Sequence, residues 1–215
     1  MTIYNDQISE YINQLFIFED GALQRAREDS PKKGLPTIQI KAEEGSFIQF
    51  LVRACAVKKA VEIGTLGGYS GIWIARGLAL GGKLITLEKE PFHAQVAKEH
   101  FEAAGVSDRV EVRVGDAHQL LLTLAAEGPF DFVFIDAEKT GYNRYLDWAL
   151  DNTRLGGVIA VHNAFRKGSV AGLQEADLYT SIMQEFNRRF AAETHLLSTI
   201  FPAGDGTLVG VKVSD

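Results

Sequence analysis

A glycine-rich segment between a short apolar strand and a helix is the first candidate for chemistry. It runs from Glu62 to Ser70 and contains Gly64, Gly67 and Gly68. Glycines let a backbone approach a ligand closely, and the amino terminus of a helix favours a negative group. Loops that bind dinucleotides carry a glycine where Glu62 stands. A carboxylate there repels a pyrophosphate and suits a cationic ligand, which argues against a nicotinamide-dependent dehydrogenase. A plain strand-to-helix turn is the structural alternative.

Two further acidic residues follow the next two predicted strands. Glu88 closes the second strand. A carboxylate at that place can accept both hydroxyls of a ribose, or it is a surface charge at a strand end. Asp116 follows the third strand, where it either bonds an adenine amine or caps the helix behind it. Both interpretations of each residue are compatible with the sequence.

These residues belong to a chain that alternates strands and helices. The predicted strands are 60–63, 83–87, 110–114, 130–135 and 157–161, separated by predicted helices over 70–80, 91–104, 119–126 and 142–150. This alternation predicts a parallel sheet with helices on both faces. After a helix over 178–190, strands near 196–200 and 208–213 flank the turn 204–206, which predicts a hairpin that closes the sheet antiparallel. Two helices within 5–28 and a third over 43–56 precede the alternating part.

Composition excludes several classes of protein. The chain has 215 residues, 46% hydrophobic and 23% charged, which suits one soluble domain. Its net charge of −6 gives no basic footprint for nucleic acid. The single cysteine, Cys55, lies in an apolar run, so we expect a packed core thiol. The sequence has no secretory signal and no stretch near the about 20 apolar residues of a membrane span, so we expect a cytoplasmic protein without a membrane partner.

Several segments together resemble the cation-dependent O-methyltransferases of small molecules, the catechol and caffeoyl-CoA group. They are 61–74, 130–139 with Tyr142, 156–163, Leu35-Pro36 with Glu44-Gly45, and 202–206, and they cover nearly the whole chain in order. The resemblance implies an α/β fold, a Rossmann-like class I methyltransferase with a seven-stranded, mostly parallel sheet, an antiparallel last strand and extra N-terminal helices. It implies one domain over 1–215, with a helical cap over 1–56 and a core over 57–215. The residues that it places around S-adenosylmethionine are Glu62, Gly64, Tyr69, Ser70, Glu88, Asp116, Ala117 and Asp136.

The resemblance also assigns catalytic roles after the fourth strand. Asp136 resembles the first ligand of a divalent cation, and Lys139 resembles the general base. A phenol has a pKa near 10, so a cation that contacts both oxygens of a vicinal diol and a base that removes the proton make the oxygen a better nucleophile. The structural alternatives are a helix cap for Asp136 and a solvated lysine for Lys139.

The main departure from the family pattern follows the fifth strand. The family has an aspartate and an asparagine as two further ligands, whereas this chain has His162 and Asn163. Three interpretations are open. An imidazole ligand shifts the preferred metal from magnesium toward manganese, iron, cobalt or zinc. In the second, the metal is lost and His162 becomes an acid, a base or a group that orients the acceptor. In the third, His162 is simply a histidine that is hydrogen-bonded at a strand end.

The function implied by the resemblance is O-methylation by S-adenosylmethionine of a vicinal diphenol or a related hydroxylated aromatic molecule. A second departure, Arg166-Lys167 where the family often has tryptophan, either favours an anionic acceptor or is a solvated loop. The alternatives are a tRNA hydroxyuridine O-methyltransferase, against which the acidic charge argues, and a catalytically silent cofactor-binding relative. We expect the N-terminal helices to cover the acceptor site and to form a homodimer.

Overall fold

The computed structural model describes residues 4–215 and places a seven-stranded sheet at the centre, with strand order β3-β2-β1-β4-β5-β7-β6. The strands are β1 (Lys59–Ile63), β2 (Lys83–Glu88), β3 (Val110–Val114), β4 (Phe130–Ile135), β5 (Thr153–Val161), β6 (Leu196–Phe201) and β7 (Thr207–Lys212). The helices are α1 (Asp6–Phe16), α2 (Gly21–Lys32), α3 (Ala42–Ala54), α4 (Tyr69–Gly77), α5 (Pro91–Ala103), α6 (Ala117–Leu124), α7 (Tyr142–Asn152) and α8 (Leu178–Ala192).

Strand pairing confirms the predicted topology. β1 pairs in parallel with β2 on one side and with β4 on the other, and β4 pairs in parallel with β5. β7 is antiparallel to both β5 and β6, so it is the one reversed strand of this sheet. The strand order turns back at β1 and β4, and ligands of open α/β sheets bind outside the carboxyl ends of the strands at such a point.

Apolar side chains fill both faces of the sheet. Along β4, Phe132 and Phe134 belong to one buried cluster, whereas Val133 and Ile135 belong to the other. This alternation is the period of a strand whose two faces are both covered. Each such side chain stabilises the fold by roughly 1.5–3 kcal/mol through burial. The buried sheet therefore forms a rigid base for whatever stands at its edge.

The N-terminal helices attach to this base by specific contacts. Asp20 caps α2 by accepting hydrogen bonds from Ala22 N and Leu23 N, and it pairs with Arg76 of α4 at 2.6 Å. α3 lies directly on α4, because a Cβ at Gly45 would lie 2.4 Å from the indole of Trp73. The division into a cap over 1–56 and a core over 57–215 stays a prediction. Within residues 4–215, every helix is too short or too polar to cross a membrane.

Element ends differ from the predictions by a few residues for local reasons. α4 ends at Gly77, whereas the sequence predicts an end at 80. α6 begins at Ala117 instead of 119, because Asp116 caps it. β5 begins at Thr153 instead of 157, because Thr153 already pairs with Phe130 of β4 ahead of a shift in register. Cys55 follows α3 and is partly buried against the core, as expected.

Candidate active site

The predicted site residues meet at the carboxyl edge of the sheet. The strand ladder brings Gly64, Asp136 and His162 side by side, because each donates its backbone N–H to the end of a neighbouring strand. The acceptors are Leu87 O for Gly64 (3.0 Å), Ile63 O for Asp136 (2.9 Å) and Ile135 O for His162 (3.0 Å). Residues far apart in sequence thus become neighbours through backbone pairing alone.

Gly64 is required at the point where β1 and β4 end. Its φ is +98°, and a Cβ built there would lie 2.1 Å from the backbone oxygen of Asp136. A side chain at this position would therefore push the two strand ends apart. The glycine keeps Asp136 close to the start of the glycine-rich segment.

Glu62 is buried beneath the glycine-rich segment. Its Oε1 accepts a hydrogen bond from Ser70 Oγ and its Oε2 one from Thr86 Oγ1, both at 2.6 Å. Burial raises the pKa of Glu62 to about 7, although the two hydroxyl donors oppose the rise. Both carboxylate oxygens thus bind the protein itself and join β1 to α4 and β2.

Glu88 also holds the segment in shape. Its Oε2 accepts the backbone N–H of Thr65 at 3.2 Å and of Leu66 at 2.7 Å, and its Oε1 accepts that of Glu90 at 2.9 Å. The side chain is buried, so it is not a surface charge at a strand end. Leu66 has a φ of +49°, and the hydrogen bonds that Glu88 accepts from the backbone of Thr65 and Leu66 help to stabilise this strained turn.

The predicted adenine contacts lie at the end of β3. Asp116 is exposed and caps α6 by accepting Gln119 N at 3.3 Å, which leaves further lone pairs open to solvent. Ala117 is the first residue of α6. Beside it, His118 stacks on the ring of Tyr145 at 4.6 Å between centroids. The cap is observed, and it is compatible with a ligand contact by the same carboxylate.

Two other predicted cofactor residues point into the protein. The hydroxyl of Tyr69 donates to Glu19 Oε1 at 2.6 Å, in the segment that leads into α2. Burial and the carboxylate of Glu19 both raise the pKa of Tyr69. Ser70 donates to Glu62. Both side chains therefore fix the start of α4.

Lys139 lies in a compact polar cluster at the end of β4. Its Nζ donates to Tyr142 Oη at 2.6 Å, to Ala137 O at 3.0 Å and to Asp136 Oδ1 at 3.3 Å. Burial and the charge of Asp136 raise the pKa of Tyr142 well above its ordinary value. Lys139 is thus held in place and is not a solvated lysine.

His162 lies between two carboxylates. Its Nδ1 donates to Asp136 Oδ2 at 3.1 Å, and its Nε2 lies 2.9 Å from Glu44 Oε1, off the N–H axis. Burial lowers the pKa of His162, but the two carboxylates outweigh it and raise the pKa to about 10. Burial likewise raises the pKa of Asp136, whereas the positive charges of His162 and Lys139 lower it to about 2.

Glu44 is the functional candidate to which sequence reasoning gave no role. It is 1% exposed, and its carboxylate accepts Lys41 N at 2.9 Å and Asp205 N at 3.2 Å. A Cβ at Gly204 would lie 2.2 Å from this carboxylate, so the glycine lets the β6–β7 turn close over it. The signal in the sequence was the Glu44-Gly45 pair, but its partner His162 lies in a distant part of the chain.

Asn163 turns toward the same hairpin. Its φ is +63°, and its Nδ2 donates to Asp205 Oδ2 at 2.8 Å. Asp205 also accepts the backbone N–H of Lys167. The side chain of Asn163 is thus tied to the β6–β7 turn.

The predicted metal ligands Asp136 and His162 are in direct contact, and their binding of a metal stays a prediction. No group of three or more His, Cys, Asp and Glu side chains within residues 4–215 is placed to hold a metal ion. An imidazole binds a metal through a nitrogen lone pair, and the Nδ1 direction of His162 ends on Asp136 Oδ2. In this arrangement Nδ1 is a hydrogen-bond donor to the carboxylate.

Arg166 is engaged within its own loop. Its guanidinium pairs with Asp177 and lies 5.1 Å from the ring centroid of Tyr179. The neighbouring Lys167 is exposed. Of this pair, the structure thus leaves Lys167 as an exposed cation on the surface.

The sequence profile of an O-methyltransferase family matches residues 14–213 of this chain. The chain belongs to the O-methyltransferase family. It is 38% identical over 212 residues to a catechol O-methyltransferase of Niastella koreensis, a match that covers 98% of this chain and 94% of the relative. It is 44% identical over 170 residues to a catechol O-methyltransferase of Mycobacterium tuberculosis, covering 79% of this chain and 76% of the relative.

Solved O-methyltransferase structures share the fold. One from Bacillus cereus in complex with S-adenosylhomocysteine has a TM-score of 0.86 and 36% identity, covering 96% of this chain and 97% of that one. One from Streptomyces achromogenes in complex with S-adenosylmethionine has a TM-score of 0.87 and 32% identity, covering 97% and 96%. These matches confirm the family, the Rossmann-like class I methyltransferase fold and the enzyme class predicted from the sequence, an S-adenosylmethionine-dependent O-methyltransferase.

Proposed function

We propose that this O-methyltransferase methylates one oxygen of a vicinal diphenol, a catechol-like acceptor. Two relatives that match much of the chain are named catechol O-methyltransferases, which supports this acceptor class. The neutral amine form of Lys139 accepts the proton of the acceptor hydroxyl. The oxygen then forms a bond to the methyl carbon while the carbon–sulfur bond of the sulfonium breaks, leaving S-adenosylhomocysteine.

One observation carries the proposal: a lysine and a carboxylate stand together at the end of β4. Lys139 Nζ lies 3.3 Å from Asp136 Oδ1 and 2.6 Å from Tyr142 Oη. Such a group can take a proton from one hydroxyl while the carboxylate accepts a hydrogen bond from the other. Much of the remaining rate enhancement comes from alignment of the oxygen, methyl carbon and sulfur.

The proposed cofactor site lies at the ends of β1, β2 and β3. Glu88 accepts the ribose hydroxyls with its remaining lone pairs, and Asp116 with Ala117 receives the adenine. Gly64 permits close approach of the backbone, and Asp136 borders the methionine portion. Glu62, Tyr69 and Ser70 shape this site from beneath, since their polar atoms are bonded within the protein.

The contacts of Arg166 argue against a tRNA acceptor. The apolar cavity of about 310 Å³ between α1, α3 and the hairpin is lined by residues that include Phe47 and Phe201, but Lys139 and Asp136 do not line it, so it is separate from the proposed base. Arg166, a residue that would support an RNA acceptor, is already paired with Asp177.

A homodimer and a cytoplasmic location belong to the same proposal. α1 has no buried residue, and its Tyr11, Leu15 and Phe16 are exposed, with Phe18 behind them. These side chains suit an interface with a second copy. Sedimentation of the wild type against a Leu15→Glu variant tests the dimer, which the charge is expected to dissociate.

The activity is tested with a methyl donor labelled in the methyl group. Catechol, a monohydric phenol and tRNA that carries hydroxyuridine are offered separately. The proposal expects label in the organic extract with catechol alone. Label in the tRNA, or S-adenosylhomocysteine binding without transfer to any acceptor, contradicts it.

A further inference from the structure

The side chains around His162 come from three separate elements and enclose the ring. Glu44 belongs to α3, Asp136 follows β4, and His162 follows β5. Nδ1 lies 3.1 Å from Asp136 Oδ2, and Nε2 lies 2.9 Å from Glu44 Oε1. The ring is 3% exposed. We name these three side chains the Glu44–His162–Asp136 array.

Both nitrogens of the ring face carboxylate oxygens where a metal would need a lone pair. The Nδ1–H bond is directed at Asp136 Oδ2, so Nδ1 is a donor. A metal–imidazole bond is about 2.0–2.1 Å long, which leaves no room for an ion between Nε2 and the Glu44 oxygen. Nε2 itself is closed to solvent. A metal ion on this ring would therefore require the ring or the Glu44 carboxylate to move.

The ring of His162 pairs with both carboxylates of the array, Glu44 and Asp136. Buried charges are tolerated when they are paired, so the two carboxylates need the ring between them. The other titratable groups nearby, Tyr142 and Asp205, contact Lys139 and Asn163.

We propose that the Glu44–His162–Asp136 array takes the place of a bound divalent cation, so that this enzyme transfers methyl groups without one. This inference concerns the same site as the proposed function, and the reaction it refers to is the one proposed there. His162 is a positioning residue: it holds Asp136 Oδ2, which leaves Oδ1 beside Lys139 at the acceptor. The acceptor proton leaves for the neutral amine of Lys139 as the oxygen attacks the methyl carbon.

Binding of Mn²⁺ is measured by the loss of the electron paramagnetic resonance signal of free Mn²⁺. This measurement tests the proposal directly and needs no acceptor. We expect the wild-type protein to leave the signal unchanged. His162→Asp places a carboxylate at this position and is expected to bind Mn²⁺, so that the free signal falls, because carboxylate oxygens are ligands that Mn²⁺ prefers. Binding of Mn²⁺ by the wild type that His162→Ala abolishes would overturn the proposal.

Two controls keep the result interpretable. Glu43 neighbours Glu44, but its carboxylate accepts hydrogen bonds from Tyr4 and Ser9 and not from the array. The Glu43→Gln variant should therefore leave Mn²⁺ binding unchanged. Thermal unfolding and S-adenosylhomocysteine binding show that each variant is folded.

A chelator should leave methyl transfer by the wild type unchanged. A rate that the chelator abolishes and Mn²⁺ restores would contradict the proposal. Failure to methylate any catechol would refute the proposed function while the Mn²⁺ result still stands.

Discussion

Lys139 Nζ lies 2.6 Å from the hydroxyl oxygen of Tyr142, and the tyrosine hydroxyl lies 3.2 Å from the backbone oxygen of His162. The lysine at the end of β4 is thereby joined to the end of β5 through one buried phenol. Tyr142 opens α7 and is fully buried, so it has one orientation available. This contact fixes the proposed base relative to the ends of β4 and β5, where the proposed acceptor site lies.

Replacing the proposed base should remove catalysis and spare cofactor binding. We expect Lys139→Met to lower kcat for catechol methylation by about 100- to 10,000-fold, the usual contribution of a general base. The affinity for S-adenosylhomocysteine, measured by calorimetry, should not change. The exposed Lys32→Met is the matched control. A Lys139→Met enzyme with wild-type kcat would remove Lys139 from the mechanism.

Glu88 should be needed for the cofactor site. Glu88→Ala leaves the backbone N–H groups of Thr65 and Leu66 without their acceptor, and an unsatisfied buried donor costs about 1–3 kcal/mol. Together with the lost ribose contact, this should weaken S-adenosylhomocysteine binding by more than about 100-fold. Glu90→Ala removes an exposed carboxylate two residues away and should bind normally. Equal affinities of the two variants would contradict the assignment.

Much of this site follows from the sequence because its residues directly follow strands. Glu88, Asp136 and His162 were all placed by the apolar runs that precede them. Glu44 and Asp205 were not given roles, because their contacts join elements distant in the chain, and no local pattern specifies such partners. The inward orientation of Glu62 also needed the structure, since it depends on Ser70 and Thr86 together.

The buried Glu62 should make stability depend on pH. Its pKa is raised from 4.5 to about 7 in the folded chain, so its contribution is fully present below pH 4.5 and is lost as pH rises through about 7. The difference amounts to roughly 3 kcal/mol of unfolding free energy.

A Glu62→Gln variant tests this by urea denaturation across that range. Its unfolding free energy should lack this part of the pH dependence, so its stability relative to the wild type should increase as the pH rises from 4.5 to 7. Parallel pH curves for the two proteins would show that Glu62 is not neutral in the folded chain.

Gly64→Ala should destabilise the fold more than an equivalent change in an open turn. The new Cβ meets Asp136 O at 2.1 Å at a φ of +98°, which should cost about 3 kcal/mol or more. Gly81 has a φ of +76° but nothing within 4 Å, so Gly81→Ala should cost only about 1 kcal/mol. Equal losses in urea denaturation would show that the strand ends tolerate a side chain.

The central claim is methylation of one oxygen of a vicinal diol by an array of protein groups. Its most direct measurement is kcat/KM of the wild-type enzyme for catechol and for hydroquinone, both in the presence of a chelator. Hydroquinone also has two hydroxyls, but they are not on adjacent carbons. We predict a labelled monomethyl ether from catechol and little or none from hydroquinone. Equal values for the two diols, or no product until a divalent metal is added, would contradict it.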